Sequence, residues 1–217
     1  VTTNGVQLTD DKIEYMNKEM HNVVLSLDGR KEVNDYFRVR ADGSGSYDSI
    51  VPKFQKFAKL RGDKEYYVRG TFTKKNLDFG EDVFHYYDDL GFDQISMEPV
   101  VTDLPDLRIT EEHLPRIEKE YETLCDEYLK RWAEGKGFNF FHFNIDLEGG
   151  PCLSKRVSAC GAGNEYFSVV PNGDLYPCHQ FAGDKESGMG SVREGITRPD
   201  IREKFADACL FTRKKCE

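Results

Sequence analysis

The run Cys160–Gln180, CGAGNEYFSVVPNGDLYPCHQ, sets two cysteines on either side of an Asn172-Gly173 dipeptide. Asn-Gly is the strongest short-range signal for a tight hairpin, because both central residues of a type I′ turn need positive φ. The flanking runs have strand character. A two-residue loop would pair Val170 with Leu175, Val169 with Tyr176 and Phe167 with Cys178. Such a hairpin folds Cys178 back toward the run that Cys160 opens, and Gly161 and Gly163 let the backbone curl beside that thiol. A third thiol, Cys152, follows Gly149-Gly150-Pro151. Three thiols aimed at one small volume are a donor set for a metal ion or an iron–sulfur cluster.

The rest of the composition suits that reading. With 217 residues the chain is long enough for a full core. A net charge of −9 argues against a nucleic-acid groove or an anionic membrane surface. No apolar run approaches the ~20 residues of a membrane span, and no secretory signal is visible. The six cysteines lie mainly in the last third, as expected for a metal framework in a reducing, cytoplasmic compartment rather than a disulfide scaffold. The chain opens on Val1-Thr2-Thr3 without an initiator Met and stops at Lys215-Cys216-Glu217, so it is expected to be an excerpt of a longer protein.

Upstream of the cysteines, strand and helix patterns alternate. Thr9–Met20 reads as a helix capped by Thr9, with Asp10 and Asp11 at the positive end of its dipole. Val23–Leu27 is an apolar run ending in Asp28-Gly29, the pattern of a strand buried on both faces. After the loop at 43–46, Ile50, Phe54 and Phe57 mark one side of a helix. Glu65–Thr73 reads as a strand, Glu81–Leu90 as a helix, Phe92–Glu98 as a strand, Thr110–Ala133 as a long amphipathic helix and Phe138–Ile145 as a last strand. This alternation implies an α/β fold built from βαβ units, with ligands collecting at the carboxyl ends of the strands. Those ends carry Asn4-Gly5, Ser26–Gly29, Arg69–Thr71 and Met97–Pro99. The rhythm breaks near Gly149–Gly150, which divides the chain into domains 1–149 and 150–217.

VVLSLDGRKEVNDYFR, YYVRGTFT, GFNFFHFNIDL and VVPNGDLYPCHQFAG, in that order, resemble the radical S-adenosylmethionine (SAM) enzymes with a C-terminal SPASM domain. Within them the wording is most similar to the thioether maturases of the six-cysteine SCIFF peptide. The resemblance implies that 1–149 is the later half of a partial (β/α)6 barrel and that 150–217 begins the SPASM domain. It implies that Asn4, Ser26, Asp28, Arg38, Arg69 and Met97 surround SAM, Met97 through its backbone beside adenine. It implies that Cys152, Cys160 and Cys178 ligate a first auxiliary [4Fe–4S] cluster and that Cys216 opens the cysteine run feeding a second. The CxxxCxxC loop that would hold the SAM-cleaving cluster is absent from this sequence, as is the GGE strand, so this polypeptide alone is expected to be inactive. The activity implied for the parent is radical oxidation of a ribosomally made, cysteine-rich precursor peptide to a thioether. In that scheme a 5′-deoxyadenosyl radical abstracts hydrogen, and ferredoxin or flavodoxin supplies electrons.

Other readings stand beside these. Ser26 and Asp28 equally suit caps of the following helix, and Arg69 suits a buried structural ion pair. His142, among Phe140, Phe141 and Phe143, reads as a hydrogen-bonded core histidine rather than a ligand, Cys125 as a small core residue and Cys209 as a core or partly buried thiol. A zinc-ribbon-like module would use the same cysteines in a tetrahedral site. A sulfatase maturase, which oxidises Cys or Ser to formylglycine, is the alternative within the family. Its members carry a carboxylate directly after the hairpin cysteine, where this chain has His179.

Overall fold

The computed structural model describes residues 1–144, 148 and 160–212. The chain divides into two compact units, Val1–Ile145 and Asp146–Glu217. The boundary expected at Gly149–Gly150 lies outside the described residues.

In the first unit, β1 (Thr2–Thr3), β2 (Val23–Ser26), β3 (Tyr66–Phe72), β4 (Gln94–Pro99) and β5 (Asn139–Phe140) form one parallel sheet in chain order. Parallel neighbours need crossover connections. Here α1 (Asp10–Glu19), α2 (Lys31–Phe37), α3 (Tyr47–Arg61), α4 (Phe79–Phe84) and α5 (Leu114–Ala133) supply them. The parallel sheet with flanking helices agrees with the α/β expectation.

Side chains alternate along each strand, and one of the two sets is buried under the helices. Val23, Leu25, Leu27, Tyr66, Val68, Phe72, Ile95 and Met97 pack with Ile13, Ile50, Phe54, Phe57, Phe79, Val83 and Tyr86 in a single core. The other set, Val24, Ser26, Tyr67, Arg69, Thr71, Ser96 and Glu98, is half-buried or exposed except for Ser96, which is buried. The expectation that Val23–Leu27 is buried on both faces therefore fails at Val24 and Ser26. The apolar residue Val24 simply lies on the polar side of the sheet.

Several ends move. Thr9 holds the extended N-cap backbone of α1 but makes no side-chain cap bond. The helix expected from Glu81 begins at Phe79 and continues as a π turn over His85–Asp89. The last strand shrinks to Asn139–Phe140. A 3₁₀ turn over Phe141–Phe143 follows and brings Phe143 to 4.9 Å from Phe140 and 5.1 Å from Tyr128 between ring centres. Arg61, at the end of α3, is buried and donates to the carbonyls of Met16, Met20 and His21. It thus ties down the carbonyls of the last turn of α1 and of the Met20–His21 segment that follows it.

The second unit holds an antiparallel sheet of β6 (Ser168–Val169), β7 (Asp174–Tyr176), β8 (Gly190–Ser191) and β9 (Gly195–Ile196), followed by α6 (Pro199–Ala206). Leu175, Met189 and Ile201 form its core, with Ile196 and Phe205 against them. The hairpin forms, but one residue out of the expected register: Ser168 faces Tyr176 and Val169 faces Leu175. Pro171 explains the slip. A two-residue loop would set Pro171 opposite Asp174 and call on an N–H that proline lacks. The closing pair is Val170 and Asp174 instead, with Val170 N donating to Asp174 O at 3.1 Å and Gly173 N to Val170 O at 2.8 Å. Gly173 takes φ +94°, the left-handed position of a three-residue loop.

Gly70 shows how tightly the core closes behind the strand ends. A Cβ there would lie 2.6 Å from Tyr86 Oη, 2.8 Å from Met97 Cε and 2.9 Å from the Leu27 carbonyl oxygen. Gly70→Ala is expected to destabilise the first unit by about 2–3 kcal/mol. Thermal unfolding checks this, and an unchanged melting temperature would contradict the packing described.

Candidate functional site

The carboxyl end of β2 runs into Asp28, which is 5% exposed. Its carboxylate is held on two sides. Thr71 N, near the end of β3, donates to Oδ1 at 3.0 Å. Arg38 donates to the same oxygen from Nη2 at 2.9 Å and sets Nε 2.6 Å from Oδ2. The Asp28 N–H in turn donates to Asn34 Oδ1 on α2 at 3.3 Å. The capping reading of Asp28 is thereby set aside: α2 has Arg30 at its N-cap, and the Asp28 carboxylate serves Arg38 and Thr71.

Arg38 also lines a pocket of about 550 Å³ with Asn4, Val6, Gln7, Phe37, Val39, Arg40, Ala41 and Ser46. Two guanidinium groups, two carboxamides and two aliphatic or aromatic walls converge there. Asn4 Oδ1 accepts from Val6 N at 3.2 Å, which fixes the turn after β1. Asn4, Asp28 and Arg38 are thus brought together at one end of the sheet.

Ser26 and Arg69 lie on the polar face itself. Ser26 is level with Arg69, and Arg69 with Ser96. Arg69 is half-exposed and reaches Glu98 at 3.7 Å, so the buried ion pair weighed for it does not occur. Glu98 Oε1 accepts from Ser96 Oγ at 3.0 Å and lies 3.4 Å from His142 Nε2. His142 is hydrogen-bonded as expected, to Ser96, but it is half-buried against this polar cluster and not in the core. Arg69, Ser96 and Glu98 line a separate cavity of about 300 Å³, with Tyr67 and Phe141 beside them. The Met97 side chain points away from both pockets and is wholly buried in the helix-side core. Its backbone alone is available to the polar side.

Sequence reading missed the support beneath Asp28. Arg30 donates from Nη2 to Asp78 at 2.8 Å and from Nε to Asp82 at 2.8 Å, and also contacts Glu81. Burial opposes the Arg30 charge, but the hydrogen bonds and charges of Asp78 and Asp82 outweigh it and raise its pKa. Asp82 is itself buried, and that burial raises its pKa against the opposing hydrogen bonds from Arg30. Its one sequence signal was an acidic residue inside the apolar pattern Phe79–Phe84.

In the second unit Cys178 is buried and Cys160 exposed. With the hairpin slipped, extending its register sets Cys178 level with Tyr166 rather than Phe167. Tyr166 Oη donates to Cys160 Sγ at 3.7 Å. Its phenol is pushed up to about 12, by burial first, then by the hydrogen bond and charge of Cys160 and the charge of Cys178. Gly163, at φ +77°, donates to Pro177 O at 3.0 Å, and a Cβ there would sit 3.3 Å from Phe205 Cβ. A glycine at this position lets the loop after Cys160 approach the strand leading to Cys178. Cys152 and Cys216 lie outside the described residues, and among the described residues no three acidic, His or Cys side chains form a metal-binding group. Cys125 and Cys209 are half-buried. The Cys209 thiol is lowered by a hydrogen bond from Thr212.

No family model matches the chain. A cysteine-type anaerobic sulfatase-maturating enzyme of Clostridium novyi (strain NT) is 23% identical over all of this chain and 59% of its own length. Among solved structures, native anSMEcpe with bound AdoMet superposes with TM-score 0.74 at 17% identity, covering 98% of this chain and 59% of that one. Streptococcus suis SuiB bound to S-adenosylmethionine gives TM-score 0.60 at 17% identity, with 95% and 47% covered. This chain has their fold. It spans about 59% of the length of the relative it matches. Further structures show anSMEcpe with AdoMet and a peptide, and SuiB with its precursor peptide SuiA.

Arg38 carries the local electrostatics of the strand end. Arg38→Gln removes the charge opposite a buried carboxylate, and a loss of about 2–3 kcal/mol in stability is expected, since Arg38 remains partly solvated. Denaturant titration checks it; an unchanged midpoint would show that Asp28 does not depend on Arg38.

Proposed function

We propose that the first unit binds S-adenosylmethionine at the carboxyl ends of β1 to β4, and that the protein carrying this chain is a radical SAM peptide maturase. The observation that carries this reading is the strand-end pocket beside the Asp28–Arg38 pair. Its volume lies in the range of small-ligand sites. Guanidinium groups suit a ligand carboxylate, while Asn4 and Gln7 offer carboxamide donors and acceptors. The fold shared with anSMEcpe and SuiB, both seen with bound SAM, supports the same ligand.

The donor set of the second unit supports a thiolate-held cluster. Cys152, Cys160 and Cys178 would ligate a first auxiliary [4Fe–4S] cluster, and Cys216 would open the cysteine run that feeds a second. When bound, SAM and reduced iron–sulfur clusters supply one-electron hydrogen-abstraction chemistry. This chain's own residues do the remaining work. Arg38 and Asn4 would hold the anionic and polar groups of the ligand in the strand-end pocket, Ser26 and Arg69 would meet it from the open face of the sheet, and the helix-covered core behind Met97 keeps the site rigid.

The substrate in this reading is a ribosomally made, cysteine-rich precursor peptide, and the product a thioether between a cysteine sulfur and a carbon. Formylglycine formation is the second reading, favoured by the name of the Clostridium novyi relative. His179, directly after the hairpin cysteine, is exposed and carries an imidazole where that chemistry would use a carboxylate. A thioether needs no aldehyde, only the net removal of two hydrogens. Incubating the full-length protein with SAM, reductant and such a peptide is expected to lower the peptide mass by about 2 Da per cross-link. The bridged cysteines should then resist alkylation even after reduction. Full labelling after reduction, or capture of the product by an aldehyde probe, would overturn the thioether assignment.

A further inference from the structure

Asp82 on α4 is absent from the lining of the strand-end pocket, yet it joins the turn after β2, whose Asp28 holds the pocket residue Arg38, to the turn after β3. Its side chain is wholly buried. Oδ1 accepts from the Arg30 backbone N–H at 2.9 Å and from Arg30 Nε at 2.8 Å. Oδ2 accepts from Asn76 Nδ2 at 3.5 Å, and Asn76 Oδ1 in turn accepts from Thr73 N at 2.9 Å and Thr73 Oγ1 at 3.1 Å. One carboxylate therefore ties the turn after β2 to the turn after β3. Gly29 sits against it at φ +114°, where a Cβ would lie 2.4 Å from the Asp82 carboxyl. The turn has no freedom to move toward α4, and the hydrogen bonds to Arg30 keep it from moving away.

A buried carboxylate–guanidinium pair contributes less stability than well-packed apolar groups of similar volume often would. What it does provide is a fixed direction. The residue preceding this turn is Asp28, whose carboxylate accepts from Thr71 N on the neighbouring strand. The two strand ends are thus registered twice, once by Asp28 at the pocket and once by Asp82 behind it.

We propose that Asp82 is a positioning residue for S-adenosylmethionine: by locking the Asp28–Arg30 turn onto the Thr73–Asn76 turn, it holds Asp28 and Arg38 in the arrangement the ligand meets. This rests on the SAM reading of the pocket. Asp82 acts through Arg30 and Asn76 and makes no ligand contact of its own. Asp82→Asn keeps the shape but replaces the anion that Arg30 and Asn76 address.

In the full-length protein, Asp82→Asn is expected to weaken SAM binding about tenfold or more by calorimetry, the scale of losing hydrogen bonds to a charged group. Hydrogen exchange should quicken locally, at the amides of Arg30 and Thr71, while α3 exchanges as in the wild type. Wild-type affinity in the variant would overturn the proposal, as would exchange that quickens uniformly, which marks a merely structural role. If Asp82→Asn does not fold, Asn76→Ala cuts only the arm to Thr73. A loss of about threefold in affinity is then expected, and no loss overturns the proposal. If the wild-type protein itself does not bind SAM, the ligand reading fails. The exchange result then decides separately whether Asp82 fixes the turn.

Discussion

The parallel sheet has helices against one face, and that one-sidedness governs the first unit. The set Val23, Leu25, Leu27, Val68, Phe72, Ile95 and Met97 must enter the helix layer, so its alternate residues must face the other way. A one-residue shift of β2, β3 or β4 would turn Ser26, Arg69 or Glu98, respectively, into the helix layer and expose that strand's core residues. The burial of apolar side chains therefore sets the position of every polar group on the opposite face. The row Ser26, Arg69 and Ser96 follows from register alone.

The strand ends need more than burial, because a turn beyond the last ladder bond is free to wander. Buried charge does this work here. Asp28 with Arg38 and Asp82 with Arg30 form two pairs that meet at the turn after β2, and each carboxylate also accepts from a backbone N–H. Such pairs add little net stability, but breaking one leaves an unmatched charge in a low-dielectric setting. The site is precise because departure from it is costly.

Much of this was legible in the sequence. The strand and helix order, the strand-end positions of Asn4 and Asp28, and the hairpin around Asn172-Gly173 all follow from short-range pattern, whereas Arg69, expected at a strand end, lies in the middle of β3. What was not legible depended on contacts distant in sequence. Val24 is apolar yet lies on the polar face, because face is decided by the neighbouring strand. His142 sits among phenylalanines in sequence but against Glu98 in space. Asp82 looks like a surface helix residue until α4 closes over the turn at Gly29. Pro171 did hold the signal for the shifted hairpin, since a missing N–H excludes the two-residue loop. Nothing comparable announced the π turn at His85–Asp89.

The central claim is that the Ser26–Asp28 strand end holds S-adenosylmethionine. Calorimetric titration of the full-length protein and its Ser26→Ala/Asp28→Ala double variant tests it most directly. The account predicts binding by the wild type and a loss of at least about tenfold in the variant, with the fold retained by circular dichroism. Equal affinities in the two proteins, or a variant that binds normally while its melting temperature collapses, would contradict it.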